Sequence, residues 1–231
     1  KSYMEALKRA GHWFLSIELP SGSGIFPHHE RSPHDTLNAT MHAVESLALI
    51  HRVLADVYQL KIDIFLQGAR RGLLHTLPLQ WDNGCFPYRN YGYTTINYTS
   101  LVVWCMLNAM EKISAPLLAT ELWQGSEQVG PAMDKACEFL RNAIAEDGSL
   151  YWEEYDKSTA KYNMWTYYIT LNVLLRINNA ENTAAAMRLL DFASRQIGKD
   201  GLPRMRDRGE EITECAFMQA DILLFLLPFC R

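Results

Sequence analysis

Four corners recur along the chain: Gly24-Ile25-Phe26-Pro27, Gly84-Cys85-Phe86-Pro87-Tyr88, Gly148-Ser149-Leu150-Tyr151-Trp152 and Gly201-Leu202-Pro203. Each follows an amphipathic stretch that ends in a polar turn, and each leads into a more apolar helical stretch. The corner glycines lie 60, 64 and 53 residues apart, a period that holds two helices and predicts an array of helical hairpins. The second helices also align. Asn38-Ala39-Thr40, Asn97-Tyr98-Thr99, Met164-Trp165-Thr166 and Glu214-Cys215-Ala216 fall in register, and three of the four carry Thr at the same place.

Working outward from the corners, apolar periodicity predicts helices over 1–19, 36–55, 60–77, 96–113, 133–145, 162–177, 183–197 and 211–227. Pro20 and Pro78 stop the first and third, and Asp35 or Thr36 is the expected cap of the second. The connection 114–130 breaks the rhythm and reads as irregular. The expectation is an all-α fold of about eight helices in four hairpins, forming a single domain over 1–231.

Composition excludes several classes of function. A formal net charge of −4 leaves no basic footprint, so no nucleic-acid partner is expected. No apolar run reaches the roughly 20 residues of a membrane span. Cys85, Cys105, Cys137, Cys215 and Cys230 are an odd set with no C-x-x-C pair, which reads as reduced thiols in a cytoplasmic protein. No motif calls for a cofactor. His28, His29, His34 and His42 cluster beside Glu30 and Asp35, but at no ligand spacing, so no metal is expected there.

The order of amphipathic helix, acidic-Gly turn, aromatic corner and apolar helix resembles the hairpin unit of α/α toroids. Glu146-Asp147-Gly148-Ser149-Leu150-Tyr151-Trp152 and Trp81-Asp82-Asn83-Gly84-Cys85-Phe86 are the stretches most like it. That fold is shared by six-hairpin glycosidases, several polysaccharide lyases and uronate epimerases, and the terpenoid cyclase and prenyltransferase group. The resemblance implies that the second helix of each hairpin lines an inner ring, with the corners and the loops before those helices rimming a cavity. Four hairpins are fewer than such toroids usually have. A partial ring, a homo-oligomer and a further domain of a longer chain all stay open. The acidic motifs of terpene cyclases, the zinc ligands of protein prenyltransferases and the Cys-His pair of lanthionine cyclases have no match in this sequence.

A carbohydrate-active protein, glycosidase-like or lyase/epimerase-like, is the leading reading. A non-catalytic toroid binding a glycan, peptide or partner chain is the alternative, and terpenoid or prenyl chemistry is a third. Aromatic faces beside acids and amides suit a small-molecule or oligosaccharide ligand, because sugar C–H faces stack while hydroxyls hydrogen-bond. Glycoside hydrolysis needs two carboxyl groups, and Asp35 with Glu214 is the preferred pair. His34 or Tyr91 would serve as base in a lyase or epimerase. Asn38, His42, Tyr88, Tyr93, Asn97, Tyr98, Trp152, Tyr162, Trp165 and Tyr168 are the candidate substrate contacts.

Overall fold

The computed structural model describes residues 2–29, 34–88, 95–113, 126–150, 164–199, 205–207, 210–212 and 226. Among them are seven helices: α1 (Ser2–Ser16), α2 (Leu37–Tyr58), α3 (Asp63–Thr76), α4 (Ile96–Lys112), α5 (Val129–Ala143), α6 (Met164–Arg176) and α7 (Ala180–Arg195). Two short strands, β1 (Met205–Asp207) and β2 (Glu210–Ile212), pair antiparallel with Asp207 opposite Glu210. The helix expected from Glu211 therefore does not begin there. Glu210–Ile212 gives its backbone to a ladder with β1, with only two residues between the paired strands. Leu226, within the rest of that expected helix, is helical.

The described chain forms two compact units. One comprises Lys1–Trp81, Pro87–Tyr93 and Cys105–Ala132; the other comprises Asp82–Phe86, Thr94–Trp104 and Met133–Arg231. In the first, α2 buries Leu37, Met41, Val44 and Leu47 on one stripe at helical spacing. It packs on α1 and α3. Gly68 and Gly72 on α3 let the helices close up: a Cβ there would come within 2.5 Å of Leu15 and 2.6 Å of Val44. In the second unit α6 packs on α7. Two polar rungs cross between α4 and α6: Thr166 Oγ1 donates to Asn97 Oδ1 at 3.1 Å, and the Ser100 and Thr170 hydroxyls meet at 2.7 Å. Such pairing is what makes buried polar groups tolerable in apolar helices.

Three of the four corners repeat one geometry. Gly24, Gly84 and Gly148 have φ of 82°, 92° and 85°. A Cβ on each would sit 2.3, 2.2 and 2.3 Å from the backbone oxygen of Arg71, Lys135 and Arg188, respectively. Only glycine meets both demands, the left-handed backbone and the contact with a helix carbonyl. Two residues further on, a hydroxyl from the next helix ties the corner down. Phe26 N–H donates to Thr40 Oγ1 at 3.1 Å, Phe86 N–H to Thr99 Oγ1 at 3.0 Å, and Leu150 N–H to the Tyr167 hydroxyl at 2.7 Å. In the third hairpin tyrosine takes the part that threonine plays in the first two, because Thr166 is engaged with Asn97. The fourth corner, Gly201, lies outside the described residues.

In the first unit the corner is also held by charge. Arg71 donates to both oxygens of Glu18, at 2.9 and 2.7 Å, and Gly24 N–H donates to Glu18 Oε1 at 2.7 Å. Burial pushes the Glu18 carboxyl up. The Arg71 bond, the Gly24 and Gly22 N–H groups and the Arg71 charge outweigh it, and the net shift is downward from 4.5. A carboxyl depressed in the folded state stabilises above its unfolded value and loses that contribution as pH falls through the folded one. Glu18→Gln should therefore cost about 3 kcal/mol near neutral pH, the low end for breaking a buried pair since Arg71 is partly exposed. The gap from wild type should shrink as pH falls below 4.5, as read from urea melts at neutral and at acid pH.

The corner geometry sets a second expectation. Gly84→Ala meets both the positive φ and the Lys135 carbonyl, and should destabilise by about 3 kcal/mol or more. Gly22→Ala has φ of 84° but nothing within 4 Å, and should cost only about 1 kcal/mol. Thermal unfolding of the two variants side by side separates crowding from backbone strain.

Candidate functional site

The start of α2 gathers polar side chains, several of whose oxygens have no partner among the described residues. Thr36 is the residue before the first helical turn, yet its side chain makes no capping bond. At α7, by contrast, the Asn179 side chain accepts from Asn182 N–H at 2.8 Å, the usual arrangement. Asp35, one residue earlier, turns away from the α2 backbone toward α3. Its Oδ2 lies 2.7 Å from His75 Nε2. The Asp35 side chain is 7% exposed and that of His75 19%. An ionised carboxylate only accepts, so in that state Nε2 carries the shared proton and Nδ1 holds the lone pair.

Three buried oxygens here have no hydrogen-bond partner among the described residues: Asp35 Oδ1, Thr36 Oγ1 and Asn38 Oδ1. Leaving such an atom dry and unbonded costs about 1–3 kcal/mol. Tyr88 is brought to the same place by its backbone, since Leu37 N–H donates to the Tyr88 carbonyl at 3.2 Å. The first unit therefore assembles Asp35, Thr36, Asn38, His75 and Tyr88 around one helix start. His34, the adjoining residue, is half-buried.

Farther along α2, His42 and Glu45 lie one turn apart and meet Cys105 from α4. His42 Nδ1 is 3.8 Å from Glu45 Oε2 and 3.6 Å from Cys105 Sγ. Asn108 Nδ2 donates to Glu45 Oε1 at 2.7 Å. His42 is exposed and Cys105 fully buried.

In the second unit the described candidates are buried or half-buried. Asn97 is buried and spends its Oδ1 on Thr166. Tyr98 and Trp165 are half-buried. Tyr168 is buried, and burial pushes its hydroxyl above the ordinary value of 10.0. Glu214, Tyr91, Tyr93, Trp152 and Tyr162 lie outside the described residues.

His75 has no place among the candidates read from the sequence, and neither does the grouping of Cys105 with His42 and Glu45. A signal for His75 was present: Arg71 and His75 are four residues apart on α3, so both project from one helix face. Each reaches an acid in a loop, Glu18 and Asp35 respectively.

Among solved structures the chain is similar to a protein described as a sugar epimerase from a ruminal bacterium, with a TM-score of 0.63 at 13% sequence identity. The match covers 86% of this chain and 55% of that one, so the chain spans about half the length of the epimerase it resembles. At that identity the likeness is one of fold, and it agrees with an all-α hairpin repeat of the α/α-toroid kind. No family model and no curated protein matches the sequence. No helix among the described residues is long and apolar enough to cross a membrane.

Proposed function

We propose that the chain acts on a carbohydrate by proton transfer, with His75 as the group that takes the proton and Asp35 as the residue that orients it. The observation that carries this reading is the pair of buried Asp35 and part-buried His75 beside three buried oxygens without partners among the described residues. A sugar presents many hydroxyl donors at short spacing, and Asp35 Oδ1 and Asn38 Oδ1 are acceptors that match them. Thr36 Oγ1 can either accept from or donate to such a hydroxyl.

With Nε2 bound to Asp35, His75 has Nδ1 free to accept, and the buried carboxylate stabilises the imidazolium that results. That suits removal of a proton from a carbon beside a sugar carbonyl, the step by which an epimerase inverts a centre. The likeness in fold to a sugar epimerase supports this chemistry over glycoside hydrolysis. Hydrolysis would ask Asp35 to act as one of two independent carboxyl groups, whereas here it is engaged by an imidazole. Glu214 belongs with Asp35 to the hydrolytic reading and takes no part in this one, in which His34 or Tyr91 would serve as the second proton-transfer group. Tyr88 is assigned to stacking on the ring.

The test is incubation of the full chain with reducing sugars and their oligosaccharides in deuterated water, followed by NMR of the sugar C–H signals. Carbon-bound deuterium should enter one class of sugar. His75→Ala should lower its rate by about 10²- to 10⁴-fold, the usual contribution of a positioned base. Asn38→Ala should mainly weaken binding. Hydrolysis without exchange would overturn the proton-transfer reading, and so would unchanged exchange in His75→Ala. Sugar binding with neither reaction would mark the chain as a non-catalytic glycan binder.

A further inference from the structure

His42, Glu45 and Cys105 lie apart from the Asp35–His75 pair, and the proposed proton transfer uses none of them. Their ligand atoms, one from each residue, all lie within 4.8 Å of one another. We propose that these three side chains form a binding site for a thiophilic divalent cation, zinc being the ion that fits best.

The spacing carries the argument. Zinc binds histidine nitrogen and carboxylate oxygen at about 2.0–2.2 Å and cysteine sulfur at about 2.3 Å, in tetrahedral geometry. Two ligands of a tetrahedral ion are then separated by about 3.6 Å for nitrogen and sulfur, and about 3.4 Å for nitrogen and oxygen. The Cys105–His42 distance of 3.6 Å already has the first value. The His42–Glu45 distance of 3.8 Å exceeds the second by a few tenths of an ångström.

The sequence explains why these groups converge. His42 and Glu45 are three apart on α2, and Cys105 and Asn108 three apart on α4, so each helix presents two residues on one face. Asn108 holds Glu45 Oε1, which leaves Oε2 for the cluster. This is the outer-shell hydrogen bond that commonly fixes a ligating carboxylate. Exposed His42 gives an ion a way in from solvent, while buried Cys105 supplies the soft ligand that selects zinc over magnesium or calcium. Three protein ligands leave a fourth position for water or another small ligand.

Before an ion binds, the thiol keeps its proton. Burial pushes Cys105 well above its ordinary value, and the Glu45 charge and hydrogen bond push the same way. On binding, the S–H bond breaks, the sulfur lone pair forms the metal–sulfur bond, and one proton leaves to solvent. Glu45, which opposes a bare thiolate, becomes a co-ligand of the cation that neutralises it.

Cobalt(II) is the probe, since it takes zinc sites and reports thiolate ligation by a charge-transfer band in the near ultraviolet. The full chain, stripped with chelator, should bind one cobalt with that band and give it up to zinc. Cys105→Ser should abolish the band, while Cys85→Ser and Cys137→Ser, which alter the other free thiols of the described chain, should keep it. His42→Ala changes an exposed residue, so it tests the site in a folded protein, and should weaken zinc binding at least 10-fold. Asn108→Ala should weaken it about 10- to 100-fold. Absence of the band, its survival in Cys105→Ser, or unchanged affinity in His42→Ala would each overturn the proposal.

Discussion

The contact on which the fold depends is the approach of a glycine corner to a helix carbonyl, 2.2–2.3 Å from where a side chain would begin, made three times in the described chain. It fixes the distance between the end of one hairpin and the helix that starts the next. The Thr40, Thr99 and Tyr167 hydroxyls then fix the same corner against its own second helix. The corner is thus pinned from two sides by backbone-directed bonds, and the apolar stripes of the helices fill what remains. Because these constraints are steric and fall mainly on the backbone, they can recur along a chain whose other residues vary. That is why the corners keep their spacing while the polar cargo beside them differs from hairpin to hairpin.

Much of this was legible before any coordinates. Glycines at a near-constant interval, each followed by an aromatic or aliphatic corner, marked the repeat, and the aligned Thr40, Thr99 and Thr166 marked the register of the second helices. That Thr40 and Thr99 tie the corner, and Thr166 does not, was not legible. The seven described helices lie where apolar periodicity placed them, with ends that differ by a few residues; α2, for example, runs on to Tyr58. The start of the last expected helix was not legible. Glu210–Ile212 has the composition of a helical first turn, and its pairing with Met205–Asp207 is a tertiary preference that a single segment does not announce. His75 stayed hidden for a related reason. A histidine in the last turn of a helix has a sufficient local explanation in the helix dipole, and its partner lies 40 residues away.

Arg71 and His75 of α3 show how similar pairs can differ in purpose. Arg71 and Glu18 are complete: the guanidinium and the Gly24 N–H take up both carboxylate oxygens. Such a pair locks a loop and has nothing left to offer a ligand. His75 and Asp35 lie one turn further along, and Oδ1 of the carboxylate has no partner among the described residues. A buried acceptor without a donor opposes folding by about 1–3 kcal/mol. Three such oxygens within four residues are concentrated at one helix start, while the cap of α7 is fully satisfied. Incomplete pairing that falls, among the described residues, at one helix start is the pattern expected of a surface made to be completed by something else.

The helix α2 divides its circumference accordingly. Leu37, Met41, Val44 and Leu47 form the stripe that enters the core. Asn38, His42 and Glu45 follow at intervals of four and three and form a second stripe, polar and less buried. Both candidate sites lie on or beside that second stripe, the Asp35–His75 pair at its start and the His42–Glu45–Cys105 cluster one turn onward. Periodicity alone reveals that the stripe exists. It does not reveal what faces it, because Cys105 and Asn108 lie 63 residues beyond their partners in the chain. A polar residue on an otherwise apolar helix is therefore ambiguous until its neighbour is known. Opposite Asn108, Glu45 is a held carboxylate, and opposite Cys105, His42 becomes a ligand in waiting.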